Sequence, residues 1–123
     1  MQLDSRSDVP LFIQIATSIE DSILIEVYPE ESQIPSTTEL SASLMINPAT
    51  VLKGMNLLVD EDIIYKKRGL GMFVTKGAVK KIREKRKKGF SETYVSSLIS
   101  EAKKLGIGMD EVLSMIEGGF KNE

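Results

Sequence analysis

Ser36-Thr37-Thr38-Glu39-Leu40-Ser41-Ala42-Ser43-Leu44 runs directly into Met45-Ile46-Asn47-Pro48-Ala49-Thr50-Val51, and the reading of this stretch decides the fold. Ser36 and Glu39 have the S-x-x-E spacing of a capping box, in which a serine hydroxyl and a glutamate carboxylate satisfy two orphan N–H groups where a helix begins. Leu40 and Leu44 then fall on one face with Ala42 between them, which predicts a short helix over 37–44. Met45-Ile46 is a brief turn. Asn47 is a favoured N-cap and Pro48 a favoured first helical residue, so a second helix starts there. Val51, Leu52, Met55, Leu58 and Val59 supply its apolar face as far as about Asp60. Gly54 lies in its middle at a cost of ~1 kcal/mol relative to alanine; it is either tolerated there or required by a close approach. Two short helices joined by a tight turn fit a helix-turn-helix, and the spacing fits an ordinary α-hairpin as well.

The flanks narrow the choice. Downstream, Ile63-Ile64-Tyr65-Lys66-Lys67 and Met72-Phe73-Val74-Thr75 are β-prone, and Arg68-Gly69-Leu70-Gly71 lies between them as a turn. This is a β-hairpin with a basic, glycine-rich tip. The Gly69-x-Gly71 pair is weak evidence for a phosphate loop: no G-x-x-x-x-G-K-[ST] motif occurs in the chain, and no helix follows the second glycine directly. It reads as hairpin geometry, where glycine permits positive φ. Upstream, residues 1–9 are polar and read as loose. Pro10 suits the first helical position with Asp8 near the cap, and Phe12, Ile15, Ile19 and Ile23 form one stripe with Ala16 beside them. That helix is expected to fail by Tyr28-Pro29. Helix, helix, helix, hairpin is the order of a winged helix-turn-helix. The fold class is therefore mainly α with a small β-hairpin, a winged helix-turn-helix followed by a short helical dimerisation tail.

From Gly77 the pattern changes, which puts the domain boundary at 1–76 and 77–123. Val79 to Lys88 reads as a dense basic helix whose main apolar contact is Ile82. Gly89-Phe90-Ser91 is a break or kink, with Ser91 as a new N-cap. Val95, Leu98, Ile99, Ala102 and Leu105 then make an amphipathic stripe that Tyr94 joins, and Gly106 suits a helix C-cap. Met109 to Glu117 gives a last helix with Met109, Val112, Leu113 and Ile116 inward, ended by Gly118-Gly119. About 30 residues in two helices make a marginal independent core, so the stripe needs a partner. That partner is the winged domain or a second copy of the tail. Cyclic dimers dominate soluble oligomers, so the expectation is a homodimer with Tyr94, Val95, Leu98, Ile99, Ala102, Leu105, Val112, Leu113 and Ile116 at the interface.

Composition excludes much chemistry. The 123 residues contain no cysteine and no histidine, which removes thiol nucleophiles, disulfides, Cys/His zinc sites and imidazole catalysis. No cofactor and no metal are expected. Neither a membrane-length apolar run nor a signal peptide is present, so the expected location is the cytoplasm, away from membranes. The net charge of −2 hides a segregated distribution. Residues 1–65 carry two basic and eleven acidic groups, residues 66–88 eleven basic and one acidic, and residues 89–123 three basic and six acidic. A basic block of that density points to a polyanion-facing segment, or to a solvated helix face plus a basic linker.

Several of these motifs, in this order, resemble the GntR family of bacterial transcriptional regulators. Pro10-Leu11-Phe12-Ile13-Gln14-Ile15-Ala16 is similar to the family's opening P-L-Y-x-Q-I-A helix, and Ile34-Pro35-Ser36-Thr37-Thr38-Glu39-Leu40-Ser41 to its L-P-S-x-R-x-L-A motif. Arg68-Gly69-Leu70-Gly71-Met72-Phe73-Val74 resembles its R-G-x-G-T-F-V wing. Asn47-Pro48-Ala49-Thr50-Val51 and the short two-helix tail, with Lys104-Leu105-Gly106, look like the YtrA-type branch. The resemblance covers about residues 10–75 and, more weakly, the tail. It implies a homodimeric regulator, commonly a repressor, that binds a double-stranded DNA operator; in the YtrA branch such genes often accompany ABC transporter genes. It leaves room for an unidentified small-molecule effector at the dimer interface or between tail and winged domain.

In such a fold the recognition helix enters the major groove by its N-terminal residues. Asn47, Ala49, Thr50, Lys53 and Asn56 then face the DNA, with Pro48 and Ala49 offering apolar contact to a thymine methyl. Ser36, Thr37 and Thr38 stand at a helix N-terminus that favours phosphate. Lys66, Lys67 and Arg68 lie near phosphates, and Gly69-Leu70-Gly71 along the minor groove. Ser36 and Asn47 have a plainer role as caps, and the Lys80–Lys88 run as a solvated face. The chain departs from the family at Thr38, where an arginine is usual, and at Leu52, where many members are basic. These departures motivate the alternative of a winged-helix protein-interaction module with weakened or lost DNA binding. An enzyme is not expected: Asp60, Glu61 and Asp62 sit at a helix end with no nucleophile or metal triad beside them.

Overall fold

Helix α1 (Leu11–Leu24) is the centre of the first unit. Its Ile15, Ala16, Ile19 and Ile23 are buried, as their 3–4 spacing predicts. In this computed structural model, which describes residues 1–122, α1 packs against α3 (Pro48–Asp60), and α2 (Thr37–Leu44) packs against α3 as well. Gly54 explains how close α1 and α3 come. A Cβ built there would lie 2.7 Å from the Phe12 carbonyl oxygen and 3.2 Å from Ile15 Cγ2. The mid-helix glycine is thus a helix-crossing point. Val51, Met55 and Leu58 complete the α3 side of the core, together with Ile34, Leu40, Ile63, Ile64, Val74, Ala78 and Ile82.

The hairpin pairs β1 (Ile64–Lys67) with β2 (Gly71–Val74) antiparallel, in the register Ile64 to Val74, Tyr65 to Phe73, Lys66 to Met72 and Lys67 to Gly71. Residues 31–34 run along the other edge of β2: Ile34 N–H donates to the Met72 carbonyl at 2.9 Å, Val74 N–H to Ser32 at 2.9 Å and Glu31 N–H to Val74 at 2.8 Å. The segment between α1 and α2 therefore covers a sheet edge that would otherwise present unpaired backbone groups.

Several element ends differ from the sequence reading. Pro10 caps α1 from outside, and no side chain caps that end. The N-terminal segment is tied down by Gln14, whose side chain accepts from Asp4 N–H (2.7 Å) and donates to the Asp4 and Val9 carbonyls (2.8 and 2.7 Å). Helix α1 stops at Leu24, ahead of Tyr28-Pro29 and within the limit expected for it. Glu26 takes a left-handed φ of 64°, and Val27 N–H returns to the Ser22 carbonyl at 2.8 Å, closing a Schellman turn without glycine. Asp62 ends α3 the same way, with φ 57° and Ile63 N–H on the Leu58 carbonyl at 2.9 Å.

Helix α4 (Ala78–Phe90) leads without a break into a π-helical turn (Ser91–Val95) and then α5 (Ser96–Lys104). Ser91 is consequently no N-cap: Phe90 before it is already helical, and the wider π turn carries the backbone on. The first unit runs from Met1 to Glu84, with Ala78 and Ile82 buried in its core. The second unit spans Lys85–Glu123. Within it α5 ends in a Schellman turn on Gly106 (φ 71°), and α6 (Met109–Lys121) continues through Gly118-Gly119 instead of stopping at Glu117. Among the described residues no helix is long and apolar enough to cross a membrane.

Candidate nucleic-acid interface

The start of α2 is built as the sequence spacing requires. Ser36 Oγ accepts from Glu39 N–H and Glu39 Oε1 accepts from Ser36 N–H, both at 3.0 Å. The Ser36 backbone and hydroxyl hydrogen bonds hold the Glu39 carboxyl below its ordinary pKa. This helix end therefore carries its own carboxylate. Thr37 turns inward: its Oγ1 donates to Met55 Sδ at 3.3 Å, fastening α2 to α3. Of the three expected phosphate ligands, Thr38 is exposed and Ser36 and Thr37 are half-buried.

On α3, Asn47 Oδ1 accepts from Ala49 N–H at 2.8 Å, so the cap role is met. Pro48, Ala49, Leu52, Lys53 and Asn56 are exposed and Thr50 is half-buried. At 3.6 residues per turn, Pro48, Leu52 and Asn56 fall within one arc, with Ala49 beside it. Lys53 lies at the α1 side of that face, its Nζ 4.2 Å from the centre of the Phe12 ring in a cation–π contact. The structure thus brings Asn47, Pro48, Ala49 and Asn56 together and draws the Lys53 ammonium toward α1. Leu52, assigned to the core by sequence, is 43% exposed. Its signal was available: Val51, Met55 and Leu58 follow the i, i+4, i+7 spacing and Leu52 does not.

The wing turns through Lys67–Leu70, with Leu70 N–H donating to the Lys67 carbonyl at 2.9 Å. Gly69 (φ 80°) occupies the position where a type II turn needs positive φ. Lys66, Lys67, Arg68, Gly69 and Leu70 are all exposed. Lys67 Nζ sits 4.5 Å from the Phe73 ring centre, and the Tyr65 and Phe73 rings stack at 6.0 Å. A residue that sequence reasoning missed holds the tip. Gln33 Nε2 donates to the Leu70 carbonyl at 2.6 Å. A Cβ at Gly71 would come within 2.8 Å of that same nitrogen. Gln33 and Leu70 are 37 residues apart, and no local pattern links them.

At the start of α4, Glu30 Oε1 and Oε2 accept from Gly77 N–H (2.9 Å) and Val79 N–H (3.0 Å). These two bonds, with Lys76 nearby, keep its carboxyl below the ordinary glutamate pKa. Lys81 pairs with Asp62 at 2.6 Å. In the second unit Tyr94, Val95, Leu98, Ile99, Leu105, Leu113 and Ile116 are exposed, joined by Met109, Met115 and Phe120. Ala102 is buried and Val112 half-buried; both line a groove with Ile99, Ile107 and Met109.

Three helices, a two-stranded β-hairpin whose edge is covered by residues 31–34 and a basic exposed tip define a winged helix-turn-helix protein. No family model matches the chain. The HTH-type transcriptional repressor YtrA of Bacillus subtilis is 28% identical over the whole of this chain and 99% of its own length. A crystal structure of a GntR-family transcriptional regulator from Bacteroides thetaiotaomicron is 35% identical, superposes with a TM-score of 0.71 and covers 90% of this chain and 96% of its own. The DNA-binding domain of AraR, solved in complex with an operator, is 25% identical with a TM-score of 0.54, over 61% of this chain and 90% of its own. The chain belongs to the GntR family of transcriptional regulators, with end-to-end similarity to its YtrA-type members. Its relatives are regulators of transcription, not enzymes.

Proposed function

We propose that the protein is a sequence-specific DNA-binding repressor that acts as a homodimer on a pseudo-palindromic operator. The observation that carries this reading is the wing. Lys66, Lys67 and Arg68 stand exposed at the end of a hairpin that follows directly on α3, in a chain whose residues before position 66 are strongly acidic. Positive charge is concentrated where a winged helix meets phosphate, and phosphate contacts set affinity while base contacts set sequence preference. The operator complex of the AraR domain supports the same docking mode for this fold. The exposed apolar face of α5 and α6 supports self-association, which would present two recognition helices to two half-sites. By analogy with its branch, transporter genes are the expected targets.

The test is selection of bound duplexes from a random pool at two salt concentrations. Enrichment of an inverted repeat, with affinity falling steeply as salt rises, is the expected result. Charge reversal at Lys66, Lys67 and Arg68 together should abolish retention. A pool that emerges without any enriched sequence would favour a protein partner for this winged helix instead of DNA.

A further inference from the structure

The exposed arc of α3 is chemically unusual for a helix that reads bases. Pro48, Ala49 and Leu52 make it apolar, Asn56 supplies one amide, and Asn47 Oδ1 is occupied in capping. The charged residues of α3 are Lys53 and Asp60. Lys53 is drawn over Phe12, and Asp60 is the last residue of the helix, far from the N-terminal turns that enter a groove. Helix α3 carries no arginine whose guanidinium could take guanine O6 and N7. Leu52 itself is 43% exposed, off the buried spacing of Val51, Met55 and Leu58, and between Pro48 and Asn56 in the arc. A lone exposed leucine needs no explanation. This one sits beside Pro48 on the outward face, with Ala49 at the far edge of the same arc, followed in the chain by a basic wing, so the groove's phosphates are attracted beside it and not by it.

Building on the proposed DNA binding, we infer that Leu52, with Pro48 and Ala49, determines specificity by packing against thymine 5-methyl groups in the major groove. Thymine alone among the bases presents such a methyl there. The half-site is therefore thymine-rich at the positions α3 covers, and discrimination rests on shape and methyl burial instead of on hydrogen bonds. Asn56, one turn further along the arc, supplies the polar contact that fixes register.

The experiment uses the full chain and the duplex selected from the random pool. Each thymine is replaced in turn by deoxyuridine, which keeps the Watson–Crick edge and loses only the methyl. Affinity should fall about fourfold for each contacted methyl, the effect expected for removing one buried methylene-sized group. Leu52→Ala should bind both duplexes with equal affinity at the position Leu52 covers, since the methyl then has no partner. Its exposure makes the variant foldable, which thermal melting checks. Uracil substitution without effect at every position, or guanine and cytosine filling the selected half-site, overturns the methyl readout and leaves DNA binding intact. Leu52→Ala that still distinguishes thymine from uracil at every position overturns the assignment to Leu52. Failure to enrich any duplex overturns the DNA-binding reading itself, and this inference with it.

Discussion

At the scale of the residue, Gly54 shows how a poor helix former becomes required. Alanine is preferred over glycine in a helix interior by ~1 kcal/mol, so propensity alone favours Gly54→Ala. Here the added Cβ meets the Phe12 carbonyl oxygen at 2.7 Å, and that oxygen belongs to the α1 backbone, which cannot swing aside as a side chain would. Overpacking of this kind costs about 1–3 kcal/mol and offsets that gain, so the variant should be less stable by up to about 2 kcal/mol in urea unfolding. A stabilised variant would show that α1 and α3 are free to separate. The residues legible from sequence were those whose partners are near in the chain: the Ser36–Glu39 box and the Asn47 cap sit as their spacing dictates. Gly54 could be noted but not explained, because its reason is Phe12, far upstream. The contact of Lys53 with Phe12 was hidden for the same cause; the ring lies on another helix.

At the scale of the element, the wing and α4 are each pinned by one side chain from the stretch between α1 and α2. Gln33→Ala should leave global stability within about 1 kcal/mol, the worth of one exposed hydrogen bond. It should nonetheless loosen the tip, seen as faster amide exchange and lower order parameters at Arg68–Gly71. Unchanged dynamics there would mean that the turn holds itself. Glu30 does the corresponding work for α4, and its titration gives a pH signature. Its carboxyl is held below the ordinary value of 4.5 by the bonds from Gly77 and Val79. A depressed folded pKa means that the stabilisation is complete above the ordinary value and is lost as pH falls through the lower, folded one. Glu30→Ala should therefore melt below the parent at neutral pH, and the two curves should converge in acid. Melting curves that differ by the same amount at all pH values would assign the effect to packing. The sequence marked α2, α3 and the hairpin well because caps and turn glycines are local signals. Of the break or kink expected at Gly89-Phe90-Ser91 the chain makes no break: a glycine weakens a helix without ending it, and a π turn from Ser91 carries the backbone through.

At the scale of the whole molecule, the near-neutral total conceals a segregated charge, which fits the proposed docking on a polyanion. The acidic stretch up to residue 65 resists non-specific attraction, while the wing concentrates cations at one tip. The tail's stripe and its Gly106 turn were readable from periodicity and local signals, but the place of Phe120 on α6 was not, since it depends on the helix continuing through Gly118-Gly119. In the proposed dimer, each copy brings Lys66, Lys67 and Arg68 to the backbone. Six neutralised phosphates give a slope of log affinity against log salt of roughly −5 on B-form DNA. Leu113→Glu places a charge in the exposed tail face and should yield a monomer in sedimentation, with the first unit still folded because its core lies within residues 1–84. That monomer has one wing, so its salt slope should fall to roughly half and its affinity for an inverted repeat should drop to that for a single half-site. A Leu113→Glu protein that sediments as a dimer would move the interface elsewhere on the tail. A monomeric parent that already shows the steeper slope would mean that the Lys80–Lys88 helix, and not a second wing, supplies the additional phosphate contacts.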